Sequence, residues 1–125
     1  MAGKIIGLGG VFVKVADPEA TRAWYARVFG IEISPWGSGE FVSPRAGART
    51  VWSPMEAGTD YFAPSAREVM LNFVADDLHA LIARAKAQGV EPVGDVVEES
   101  YGRFAWFLDP DGFKIEVWQP LAPPA

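Results

Sequence analysis

The sequence predicts an α+β domain made of two copies of a strand–helix–three-strand (βαβββ) unit. Three observations predict it. Two amphipathic stretches start on aspartate and stop at glycine, strand-like runs flank each of them, and one half of the chain overlays the other at a fixed offset. At that offset Asp17 falls on Asp77, Ala20 on Ala80, Val11 on Leu71 and Val13 on Phe73, while Gly30 meets Gly89 after a one-residue adjustment. A lone unit would leave an apolar sheet face uncovered, so pairing two completes the burial. The chain is read as a single domain over residues 1–125, with modules at about 7–54 and 68–120 and a connector at 55–67.

The elements follow in order. Residues 7–16 alternate, with Val11, Val13 and Val15 on one face, expected to be the helix side, and Gly10, Phe12 and Lys14 on the other. Asp17-Pro18-Glu19 then supplies an N-cap and a first-turn proline. Ala20, Ala23, Trp24, Tyr25, Val28 and Phe29 form the apolar stripe of a helix that Gly30 ends. Strand-like runs are expected at 31–36, 40–43 and 49–53, broken by Gly37-Ser38-Gly39 and Pro44-Arg45-Ala46-Gly47. Residues 55–67 carry neither period. The pattern restarts with Leu71, Phe73 and Ala75 opposite Met70, Asn72 and Val74, and a helix follows from Asp76 or Asp77 to Gly89. Further strands are predicted at 91–98, 102–108 and 113–119. Asp109-Pro110-Asp111-Gly112 has the residues of a type I turn and predicts a hairpin between the last two.

Composition narrows the function classes. A chain of 125 residues with 50% hydrophobic content can bury a core, and with no cysteine it has neither disulfides nor thiolate chemistry. The net charge of -5, without a Lys/Arg cluster, opposes nucleic acid and acidic membranes as partners. Residues 1–6 lack a signal-peptide pattern and no apolar run approaches the roughly 20 residues of a membrane span, which predicts a cytoplasmic protein. No glycine-rich phosphate loop and no nucleophile elbow occurs.

Three stretches resemble the glyoxalase, bleomycin-resistance and extradiol-dioxygenase superfamily, the vicinal oxygen chelate fold. They are Val13-Lys14-Val15-Ala16-Asp17 with Ala23-Trp24-Tyr25 and Val28-Phe29-Gly30, Phe73-Val74-Ala75-Asp76-Asp77-Leu78, and Phe107-Leu108-Asp109-Pro110-Asp111-Gly112-Phe113-Lys114-Ile115-Glu116-Val117. The last is the most specific, although the family usually has Asn where Phe113 stands. The resemblance implies two modules whose curved sheets pair around a central cleft, commonly in a homodimer. It also implies, for metal-dependent relatives, one ligand from the first and one from the last strand of each module. Those positions fall here on Gly10, on Thr50 or Val51, on Met70 and on Glu116. One carboxylate with a thioether and a neutral hydroxyl is a poor donor set for zinc or nickel, so neither a metal site nor any cofactor is expected. His79, in the first turn of the second helix, is expected to be solvent-exposed or structural.

Strand alternation places Phe12, Lys14, Trp52, Met70, Asn72, Val74, Lys114, Glu116 and Trp118 on the cleft side. Trp52 and Trp118 hold equivalent places in the two modules and either stack on a planar ligand or fill the space between modules. Glu116 is the candidate catalytic residue, because a carboxylate left unpaired among apolar neighbours is expected to have a raised pKa, the state a general base or acid wants near neutrality. Its alternative is an ion pair with Lys14, Lys114 or Arg103. Tyr101-Gly102-Arg103 is read as a hinge carrying a phenol and a guanidinium that could close on a ligand, and Tyr61-Phe62 of the connector is similar in kind.

The expected function is metal-independent binding of an aromatic or amphipathic small molecule. The alternatives are a lyase or isomerase acting on a small carbonyl or thiol adduct, and a dimeric structural module without ligand.

Overall fold

The computed structural model describes residue 3, residues 11–41, residue 50 and residues 53–121. Its elements are α1 (Pro18–Phe29), β1 (Leu71–Val74), α2 (Leu78–Ala87), β2 (Val97–Glu99), β3 (Gly102–Leu108) and β4 (Lys114–Pro120). The four strands form one open sheet in the order β1-β4-β3-β2, with β1 parallel to β4 and the other pairs antiparallel. The fold is α+β, and β1-α2-β2-β3-β4 is one complete strand–helix–three-strand unit.

Both helices begin and end where the sequence predicts. The Asp17 carboxylate accepts from Ala20 N at 3.1 Å and the Asp77 carboxylate from the equivalent Ala80 N at 3.1 Å, each satisfying an orphan donor of the first turn. Gly30 closes α1 at φ 71, a left-handed conformation that side chains resist.

The strands impose strict alternation. Leu71, Ile115 and Phe107 align across one rung, and Phe73, Val117 and Ala105 across another. These six face the helices and pack with Trp24, Val28, Leu78, Ile82 and Ala85 into the core. Phe107, Leu78, Ile115, Val28 and Val117 are fully buried, each worth roughly 1.5–3 kcal/mol of apolar transfer. Phe29 completes the join, its ring edge meeting Phe107 at 5.5 Å and Phe73 lying at 6.3 Å.

The Asp109–Gly112 turn ties three parts of the chain together. Asp109 is buried; its Oδ1 accepts from Asp111 N and Phe113 N, both at 2.9 Å, and its Oδ2 accepts from the Tyr25 hydroxyl at 2.6 Å. The connector is fastened to the same turn, by Ser65 Oγ to Gly112 O and by Arg67 Nε and Nη2 to Asp111 O at 3.1 and 3.0 Å.

Several expectations are corrected. The strand expected over 91–98 is confined to Val97–Glu99, because Pro92 has no N–H to donate and Gly94 turns the chain at φ 73. Of the strand expected over 7–16, residues 7–10 lie outside the described residues, and 11–16 form no ladder among those described. Val11 and Val13 are exposed instead of facing a helix, whereas Val15 packs on the core. Residues 31–36 supply one bridge, Ile33 with Gly39, around a turn in which Gly37 adopts φ 87. Residues 42 and 43 of the next expected run lie outside the described residues, as do 49, 51 and 52 of the run after it.

Candidate functional site

The sheet face opposite the helices is polar at its centre and aromatic around it. Asn72, Glu116 and Trp106 are register partners on β1, β4 and β3, so all three side chains emerge on one rung. Val74, Trp118, Phe104 and Val97 occupy the next rung. The Phe104 ring lies 5.7 Å from Trp118 at an interplanar angle of 9° and 6.4 Å from Trp106 at 16°, giving three near-parallel rings. Tyr101 meets Phe104 edge-on at 5.9 Å and extends the row.

Gly102 makes room for this row. It is buried inside β3, and a Cβ there would come within 3.0 Å of both the Trp118 indole and Gln119 O. The residue expected to be a hinge is therefore a seat for Trp118.

Glu116 accepts three hydrogen bonds from uncharged donors. Asn72 Nδ2 donates to Oε1 at 2.7 Å, Trp106 Nε1 donates to Oε2 at 2.9 Å, and the Tyr61 hydroxyl donates to Oε2. Lys114, its neighbour on β4, points its ammonium elsewhere, to Tyr61 O at 2.7 Å, with Nζ 5.1 Å from the Tyr61 ring centre and 5.7 Å from that of Trp106. Burial, then the hydrogen bond to Glu116, push the Tyr61 phenol up to about 12.

These contacts correct both readings of Glu116. The carboxylate is not left without partners, and none of Lys14, Lys114 or Arg103 forms its ion pair among the described residues. Three donors on two strands and the connector fix the direction in which the carboxylate points.

The other expected site residues divide. Asn72 and Trp118 join Glu116, and half-buried Met70 lies two residues before Asn72. Phe12 is 95% exposed and Lys14 is exposed. Arg103 alternates with Phe104 and so leaves on the helix side, where its Nε pairs with Glu98 at 3.2 Å beside His79, itself 3.4 Å from Glu98. Trp52, Gly10 and Val51 lie outside the described residues. Phe104 and Trp106 were legible from the two-residue period of 102–108, which puts them on the side of Glu116; Tyr61 carried only the signal of an aromatic in a loop.

Among the described residues, the donor set does not fit a divalent ion. The atoms turned toward Glu116 are N–H and O–H hydrogens, and among the described residues no three His, Cys, Asp or Glu side chains converge. The hollows elsewhere, one lined by Phe29, Asp76, Asp77, Ala80, Leu81 and Arg84, lie apart from this chemistry.

A family model described as a glyoxalase-like domain matches residues 10–118. Among solved structures, a protein from the mobile metagenome of V. pseudocholerae is 26% identical with a TM-score of 0.62, over 98% of this chain and 100% of that one. TnmS3, an antibiotic binding protein from Streptomyces sp. CB03234, is 27% identical with a TM-score of 0.57, over 97% and 99% of the two chains. A glyoxalase/dioxygenase from Nostoc punctiforme shares the fold at 17% identity and a TM-score of 0.56, over 98% and 100%. No curated protein matches. A family match over nearly the whole chain, on a strand–helix–three-strand unit with the Asp109–Gly112 hairpin, establishes that this protein belongs to the glyoxalase-like domain family.

Proposed function

We propose that the protein binds a planar aromatic or amphipathic small molecule without a metal ion, on the sheet face formed by Phe104, Trp106, Trp118, Asn72 and Glu116. The observation that carries this reading is the row of three near-parallel rings beside an oriented carboxylate. Flat rings supply large contact area at little conformational cost, and a fixed acceptor orients what lies on them. The likeness to an antibiotic binding protein at 27% identity supports a small-molecule ligand. In this reading residues 7–54 make up the second βαβββ module expected from the sequence repeat.

Isothermal titration calorimetry and thermal-shift measurements against planar antibiotics and aromatic metabolites test the reading. Saturable one-to-one binding is expected, weakened at least about tenfold by Trp118→Ala, a loss of the size expected for one stacked ring with its buried area. Failure of every compound to bind would leave a structural module without ligand. Stoichiometric zinc, nickel or iron in untagged protein would instead favour a lyase or isomerase, and would overturn the metal-independent part.

A further inference from the structure

Resting on that aromatic-ligand reading, we infer that the compound bound is an uncharged hydroxyaryl ketone or related phenol with a carbonyl group, and that Tyr61 holds its place until it arrives. Tyr61 already makes the contacts such a ligand would make. Its hydroxyl donates to Glu116 Oε2, its ring stands edge-on to Trp106 at 6.4 Å, and its own carbonyl accepts from Lys114 Nζ at 2.7 Å. One residue thus offers a donor, a flat ring and an acceptor, and the sheet meets each with its complement.

The occupant is the part able to leave. Glu116, Trp106 and Lys114 sit on β3 and β4, locked by the ladder, whereas Tyr61 belongs to the connector, lies in a turn outside any helix or strand and is 40% exposed. Oε2 already takes two donors, from Tyr61 and Trp106, so a hydroxyl that takes the place of the Tyr61 ring replaces the phenol at that oxygen while the indole stays.

Charge selects a neutral ligand. The ammonium of Lys114 already sits close to the rings of Tyr61 and Trp106, where a cationic ligand would meet a like charge. An anionic ligand would meet the Glu116 carboxylate, which when ionised accepts hydrogen bonds and donates none.

Titration calorimetry with an acetyl-hydroxynaphthalene carrying its two groups at opposite ends, and with its methyl ether, tests the inference at a pH that keeps the probe phenol neutral. The wild type is expected to prefer the hydroxyl probe by about fivefold, the size of one net hydrogen bond. Tyr61→Phe should widen that preference and Glu116→Gln should narrow it. With ring-labelled tyrosine, the Tyr61 resonance should move on adding the hydroxyl probe. Equal affinity for the two probes in the wild type overturns the inference and leaves aromatic binding standing, as does binding of other planar compounds but of neither probe. If no planar compound binds at all, both readings fall.

Discussion

Glu116 and Trp106 are register partners across β3 and β4, and the indole N–H donates to the carboxylate at 2.9 Å. Neither backbone can shift without breaking the ladder, so the hydrogen bond fixes the ring about its side-chain torsions. Because Trp106 lies near-parallel to Phe104 and edge-on to Tyr61, one carboxylate sets the geometry of the aromatic row.

Replacing Trp106 with Phe removes the indole donor and keeps an aromatic ring. Hydrogen bonds to a charged group contribute roughly 1.5–3 kcal/mol, and partial exposure of this face puts Trp106→Phe at the lower end of that range. Urea denaturation should show the loss, and near-ultraviolet circular dichroism should show the row disordered. An unchanged midpoint and spectrum would mean that the carboxylate does not orient the ring.

Tyr61 titrates late, at about 12, because it is partly buried and donates to Glu116. A phenol whose folded pKa lies above the unfolded value of 10.0 contributes stability that is whole below pH 10 and is lost as pH rises through 12. Phenolate absorbance should therefore lag behind that of a model tyrosine, and Glu116→Gln should bring the Tyr61 transition down toward 10. A Tyr61 transition already at 10 in the wild type would deny the contact.

Much of this was legible in the sequence wherever a local physical rule decides the structure. Asp17 and Asp77 cap helices because their carboxylates reach the third amide on, and the turn at Asp109 follows from the preferences of Asp, Pro and Gly. Asn72, Glu116 and Trp118 could be placed on one face because alternation is fixed once a strand is recognised. Tyr61 could not be joined to Glu116, since it reaches the sheet through a connector with no periodicity, across 55 residues of sequence. Arg103 faces the helices because Gly102 begins β3, and within a strand the next residue points to the opposite side.

Tyr25 and Asp109 form a part-buried polar contact between α1 and the Asp109–Gly112 turn. Burial, then the hydrogen bond to Asp109, push the Tyr25 phenol upward, and Asp109 spends its other oxygen on two backbone amides. Tyr25→Phe leaves one carboxylate oxygen without its phenol partner and should cost about 1–3 kcal/mol in chemical denaturation. Asp109→Ala should cost more, because it also strands Asp111 N and Phe113 N. If the two variants were equally stable, the turn amides would be finding other acceptors and Asp109 would serve only as the partner of Tyr25.

Gly102 offers the sharpest separation of binding from folding. A Cβ at this position meets Trp118 and Gln119 O at 3.0 Å, tighter than ordinary contact, while its φ is not of the left-handed kind that only glycine tolerates. Gly102→Ala should therefore be accommodated by a shift of a few tenths of an ångström, and because Gln119 O belongs to the ladder, the indole is the side able to yield. Its stability cost should stay near the roughly 1–3 kcal/mol of an overpacked site, whereas tilting Trp118 away from the 9° it keeps with Phe104 should weaken aromatic probes and shift tryptophan emission. The loss should be larger for Gly102→Val, whose two further methyls extend into the same ring. Unaltered probe affinity in both variants would show that the orientation of Trp118 does not matter for binding, and the proposed floor would have to be confined to Phe104 and Trp106.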